Sequence, residues 1–151
     1  MRRGFTFIEV LTVIMIAAIV LLVVAIGTGA ARSNARDERR RADLATISSV
    51  LEKFRSDCRK YPTGSEFGAA VSSGFLRGNG ATPACSNSSV YTSRFPKDPE
   101  PGRVYYYGVD ATGQDYTLCA ALETEPVPPM TGSCIGSSSC GPSCNYILTS
   151  P

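Results

Sequence analysis

Between Phe5 and Ala31 the chain carries a single charged side chain, the carboxylate of Glu9. It stands at the head of an apolar run, Val10 to Ala31, of 22 residues without a charge. A carboxylate beside so much apolar surface is costly unless it is paired. The backbone offers one partner. A cut after Gly4 would leave the free amine of Phe5 four residues before Glu9. A second chemistry lies further on, in Cys58, Cys85, Cys119, Cys134, Cys140 and Cys144. An even number of cysteines in a small exported domain predicts disulfides. Six cysteines allow 15 pairings, and the spacing does not choose among them. The pairing we expect joins two of Cys134, Cys140 and Cys144 within the tail or with Cys85, and puts Cys58 near Cys119. Zinc is the weaker alternative. The last three cysteines form no CxxC pair, the chain has no histidine, and a fourth ligand would have to come from elsewhere.

Enzymatic chemistry has little to stand on, and we expect no enzyme. Without histidine the commonest general base is missing, and Ser-His-Asp and Cys-His arrangements are excluded. Asp98, Glu100 and Asp110 offer a carboxylate pair, but acids in turns are usually solvated. No GxxxxGK[ST] phosphate loop occurs.

The apolar run is long enough for a bilayer, which takes roughly 20 residues. Three readings compete. In a secretory signal peptide, Arg2 and Arg3 form the n-region, and Thr28, Gly29, Ala30 and Ala31 hold the cleavage site. An h-region is usually about 7–15 residues, and this reading gives Glu9 no role. A plain anchor gains nothing from Glu9 either. A processing site at Gly4 lies before the apolar segment, so the helix survives cleavage. Losing Arg2 and Arg3 then takes the 15 basic residues to 13, equal to the 13 acidic ones. Net charge therefore gives no support for nucleic-acid binding. Arg32, Arg36, Arg39, Arg40 and Arg41 follow the segment. Counted alone, they would keep the C-terminal side in the cytoplasm. Asp37, Glu38 and Asp43 are interleaved with them, and the cysteines favour export.

Residues 32–57 contain no glycine or proline. Leu44, Ile47, Leu51, Phe54 and Cys58 recur at three- and four-residue intervals, one apolar face of a helix. Arg40, Asp43, Ser49, Glu52, Lys53 and Ser56 are assigned to the solvent side. A helix from about Phe5 to Asp57 would be roughly 80 Å long. Gly27 and Gly29 at the junction would ease close packing or local stretching. Tyr61-Pro62-Thr63-Gly64 ends the helix. A short helix is expected from Glu66 to Ser72, capped by Ser65 and ended by Gly74. Residues 77–93 read as a surface loop holding Cys85. Residues 95–102 form a proline-rich turn. Arg103–Val109 and Tyr116–Leu122 read as a hairpin around Asp110–Gln114, with Tyr116, Leu118, Ala120 and Leu122 on one face. The three consecutive tyrosines fit strand packing better than a base-stacking platform, for want of a basic surround. After Glu123 periodicity is lost, and Asn145–Thr149 adds a last strand.

Arg3-Gly4-Phe5-Thr6-Phe7-Ile8-Glu9-Val10-Leu11 resembles the class III leader and N-terminal helix of type IV pilins and type II secretion pseudopilins. The stretch from Asp43 to Pro62, and Phe95-Pro96-Lys97-Asp98-Pro99 before Tyr105-Tyr106-Tyr107, is similar to their helix exit and the start of their sheet. The resemblance implies an α+β pilin fold, a long N-terminal helix on a small antiparallel sheet, here with a cystine-rich tail. It implies a leader at 1–4, a transmembrane and filament-core helix at 5–31, and an exported head at 32–151. A prepilin peptidase/N-methyltransferase would cut after Gly4 and methylate Phe5, and Glu9 would serve assembly. Further partners implied are other pilin subunits, an inner-membrane assembly platform and lipid. The subunit would span the inner membrane once, head exported, then join a cell-surface or periplasmic filament. No cofactor or metal is implied. Major secretion pseudopilins usually have a calcium loop near the C-terminus, whereas no Asp or Glu follows Glu125 here, and calcium prefers several oxygen ligands. The alternatives are a minor pseudopilin of a type II secretion or DNA-uptake machine and, in a different class, a monomeric anchored binding module.

Overall fold

The computed structural model describes residues 4–151, apart from the side chains of residues 24–28. Expectations placed on Arg2 and Arg3, and on the side chain of Thr28, lie outside the described residues. The fold is α+β. Helix α1 spans Phe7–Cys58, and α2 spans Gly64–Ser73. Strands β1 (Leu76–Arg77) and β2 (Val90–Thr92) form one antiparallel pair. Strands β3 (Tyr106–Val109), β4 (Tyr116–Ala120) and β5 (Tyr146–Thr149) form an antiparallel sheet in the order β3-β4-β5. The chain divides into two compact units, residues 1–35 and 36–151.

The first unit is the front of α1. Its described side chains from Phe5 to Val23 are all exposed. Among the described residues no helix is long and apolar enough to cross a membrane. A side chain at Gly29 would meet open space, so no contact within this chain requires glycine there.

The second unit is built on the rest of α1. Leu44, Ile47, Leu51 and Phe54 are fully buried and pack with Tyr116, Leu118 and Ala120 of β4. The helix stops at Cys58, and Arg59 just beyond it takes a left-handed φ of 66°. Tyr61 N then donates to Gly113 O of the hairpin loop at 2.9 Å, tying the helix exit to the sheet. Helix α2 starts earlier than expected. Its cap is Thr63 rather than Ser65, because Thr63 and Glu66 form a reciprocal capping box. Gly74 ends α2 in the left-handed conformation that glycine adopts without steric cost.

Successive side chains of a strand point to opposite faces. Tyr105 and Tyr107 therefore serve the helix side. Tyr107 stacks on Phe67 with ring centroids 4.2 Å apart and donates to Pro62 O at 2.6 Å. Tyr105 donates to Asp43 at 2.8 Å. Tyr106 turns to the other face, where Cys119, Ala121, Cys134, Cys140 and Cys144 form a second core. The tyrosines are packing residues, as expected.

Three disulfides close the head: Cys58–Cys85, Cys119–Cys134 and Cys140–Cys144. The tail is bridged to itself, as expected, but Cys58 does not lie with Cys119. Leu118 and Ala120 face α1, so Cys119 between them faces the tail. Cys58 instead meets the segment between β1 and β2, two short strands within what read as loop. Gly141, at φ 92°, lets the Cys140–Cys144 loop lie against the backbone carbonyl of Gly102.

Candidate processing and assembly site

Gly4, Phe5 and Thr6 precede α1 without regular structure. A side chain at residue 4 would meet nothing within 4 Å, so the fold itself does not require glycine there. Phe5 is 85% exposed. Its nitrogen is a peptide amide in this chain, because Gly4 precedes it. Only cleavage would make it an amine.

Thr6 caps the helix. Its carbonyl accepts from Glu9 N at 3.1 Å and Val10 N at 3.3 Å. Its Oγ1 accepts from Glu9 N at 3.4 Å, while Glu9 Oε2 accepts from Thr6 N and from Thr6 Oγ1, each at 3.3 Å. This is a reciprocal capping box, which satisfies amides that a helix start otherwise leaves open. The structure thus joins Glu9 to Thr6, a residue to which the sequence reading gave no role. The signal was present in the Thr-x-x-Glu spacing before an apolar run. Thr12 Oγ1 folds back onto Glu9 O at 2.9 Å. Past this cap the surface from Phe7 to Val23 shows only apolar and small side chains besides Glu9 and Thr12.

A second polar constellation lies in the head. Arg40, assigned to the solvent side, is fully buried. Its Nε and Nη2 donate to the two oxygens of Asp98 at 2.8 and 3.0 Å. Nη1 donates to Asp37 at 2.8 Å and Glu123 at 2.9 Å, and Nη2 also reaches Glu100 at 3.2 Å. The Asp98 side chain is 1% exposed, contrary to the expectation of a solvated turn acid. The guanidinium fork explains this, since it meets carboxylates bidentately and supplies five donors from one planar group. Asp110, by contrast, stays exposed and accepts from Thr112 and the amides of Gln114 and Asp115 in its own loop. Arg36 makes a bidentate pair with Glu123 at 2.6 and 2.5 Å, and Arg103 holds Glu100 at 2.7 Å.

These contacts move the carboxyls down. The Arg36 hydrogen bond, against partial burial and with help from Arg40, holds Glu123 down to about 2. Burial works to raise Asp37, but the amides of Glu123 and Thr124 together with Arg40 outweigh it and leave the carboxyl lowered. Burial likewise works against the charged form of Arg40, and its carboxylates more than offset this. The acids are occupied in holding arginines, and among the described residues no group of acids and cysteines is arranged to take a metal ion. The cluster fastens the 98–100 turn and the start of the tail to α1. Of the basic run the cluster takes Arg36 and Arg40. Arg39 pairs with Asp43 at 3.9 Å and Arg41 with Glu38 at 2.6 Å.

Residues 1–25 match the family model for the prokaryotic N-terminal methylation motif. The chain therefore carries the class III prepilin leader of type IV pilins and pseudopilins, the substrate mark of prepilin peptidase. No curated protein and no solved structure matches the chain.

Proposed function

We infer that this leader-bearing chain is a structural subunit of a type IV pilus or a related filament and has no catalytic role. Prepilin peptidase cuts after Gly4 and methylates Phe5. The helix from 5 to 31 spans the inner membrane once until the subunit is extracted through the assembly platform. The head, from 32 onward, lies on the exported side, where its three disulfides are stable.

One observation carries the reading: among the described side chains from Phe5 to Val23 all are exposed and, Thr6 and Thr12 apart, apolar, with the single carboxylate of Glu9 near the start. Fully burying a Val, Leu, Ile or Phe side chain is worth about 1.5–3 kcal/mol against water, so this surface requires lipid or other helices. Lipid tails are as apolar as leucine. Exchanging lipid for neighbouring helices therefore changes the apolar term little, and the one polar group decides the balance. Glu9 in an apolar medium needs a cation. The Phe5 amine of an adjacent subunit supplies it and sets the axial register. The tail favours a pilus-type subunit over a calcium-binding secretion pseudopilin, since disulfides, not acids, hold it after Glu125.

The test is the fraction of processed subunit recovered in sheared filaments, with total membrane-bound subunit as control. Glu9→Leu is expected to be cut after Gly4 and to fold its head, yet to be lost from filaments, with Glu9→Asp intermediate. Gly4→Val is expected to keep its leader. Wild-type incorporation of Glu9→Leu would overturn the charge-pair mechanism, and a native N-terminus near residue 32 would overturn the whole reading.

A further inference from the structure

The loop between β1 and β2 contains Ser86-Asn87-Ser88-Ser89. Of the four asparagines in the chain, Asn87 alone is followed two positions later by a hydroxyl residue with no proline between. That is the acceptor pattern for N-linked glycans. The pattern is only three residues long, so its surroundings decide whether it can be used.

Four features of those surroundings agree. Asn87 is exposed. Its side-chain amide has no hydrogen-bond partner among the described residues. Asn145, in contrast, uses both ends of its amide on Leu122, at 2.7 and 3.0 Å, and Asn79 accepts from Ala81 N at 3.0 Å. Ser89 N donates to Ser86 O at 2.8 Å, which puts Asn87 and Ser88 at the two central positions of a turn. The missing side chain at Gly80 keeps the amide uncovered, since a Cβ there would lie 3.3 Å from Asn87 Oδ1. Around it is an open recess of 480 Å³ lined by Gly80, Ala81, Thr82, Pro83, Ser86 and Asn87. These small side chains form a shelf on which a first sugar ring can rest.

The loop is also held firmly at its base. Cys85 is bridged to Cys58, and Thr82 Oγ1 donates to Asp57 O at 2.5 Å. A bulky group on Asn87 thus leaves the core untouched, because no core contact involves that side chain.

We propose that Asn87 is a site of N-linked glycosylation on the exported head. The proposal rests on the head being exported, as inferred above. The donor class is an oligosaccharide on a lipid diphosphate. A bond forms between Nδ2 of Asn87 and the anomeric carbon of the first sugar. The bond from that carbon to the diphosphate oxygen breaks, and the lipid diphosphate leaves with the electron pair. The amide gives up one proton, which ends on the leaving phosphate, and nothing is oxidised or reduced. The Ser89 hydroxyl is the feature the transferase reads, so it acts in recognition and takes no sugar.

The test uses the full chain isolated from its native cells, reduced, alkylated and digested with trypsin. Cleavage after Arg77 and Arg94 releases residues 78–94, with Asn79 and Asn87 in one peptide. The N-terminal peptide of the same sample reports processing. The expected result is an added mass of whole sugar residues on peptide 78–94. It should be lost completely in Asn87→Gln and in Ser89→Ala, and kept in Ser88→Ala and Ser89→Thr. An unmodified peptide in chains that begin at methylated Phe5 would overturn the glycosylation and leave the filament reading standing. An unmodified peptide in chains that keep their leader would overturn both. An added mass that persists in Asn87→Gln would place the sugar on a hydroxyl and overturn the proposal as well.

Discussion

Arg40 on α1 and Asp98 in the proline-rich turn meet as a bidentate ion pair, with 0% and 1% of their side chains exposed. Breaking a buried pair from one side leaves an uncompensated charge and costs about 3–5 kcal/mol. Arg40→Met is therefore expected to destabilise the head by about that amount in urea unfolding. Arg40→Lys should recover little, since a point charge cannot supply the five donors of the fork. Replacing Arg40 and Asp98 together by apolar residues should recover much of the loss. A neutral Arg40→Met would show that the cluster contributes nothing net.

The same cluster sets a dependence on pH. Glu123 titrates at about 2 in the folded head against an ordinary 4.5, and Asp37 is also lowered. A depressed folded pKa means stability that is present above the unfolded value and lost as pH falls through the folded one. The melting temperature of the full chain in detergent should hold steady near neutrality and fall as pH drops from 4.5 towards 2. Glu123→Gln should flatten that slope. An unchanged slope in the variant would remove Glu123 from the account.

The three disulfides close loops of unequal length, with sequence separations of 27, 15 and 4. In the chain-entropy model these are worth about 3.6, 3.0 and 1.9 kcal/mol. Serine replacement of Cys58 with Cys85 should thus cost most, and of Cys140 with Cys144 least, by unfolding midpoint. Peptide mapping without reduction should return those three pairs and no free thiol. Stoichiometric zinc in the purified head would sink the assignment.

Thr6 separates two roles of Glu9. Removing a threonine cap typically costs about 1 kcal/mol of helix stability. Thr6→Ala should lose that capping while keeping the Glu9 carboxylate, so cleavage and filament incorporation should persist. If Thr6→Ala fails to assemble as completely as Glu9→Leu, the capping box, rather than a charge pair with Phe5, is what assembly needs.

The elements that were legible are those with a local period. The stripe Leu44, Ile47, Leu51, Phe54 and the alternation of Tyr116, Leu118 and Ala120 each occupy one face, and both faces are buried. Arg40 was misread although its position was informative. Counting back from Leu44 by four and then three gives Arg40 and Asp37, so the buried stripe continues in charged residues. Their charge suggested solvent, but the compensating Asp98, Glu100 and Glu123 lie 58, 60 and 83 residues from Arg40, beyond the reach of any local pattern. The strands β1 and β2 are two and three residues long, too short for alternation to register. The pairing of Cys119 was partly readable, since Leu118 and Ala120 already claimed the helix face.

The bridge from Cys58 to Cys85 has a mechanical consequence. It spans the end of the long helix and the loop beyond it, so tension entering along α1 passes through sulfur and bypasses α2 and β1. The sequence separation of 27 between the two cysteines holds roughly 90 Å of extensible contour at about 3.4 Å per residue. While the bridge is intact none of that length can be drawn out, and a pull along α1 is handed directly to Cys85.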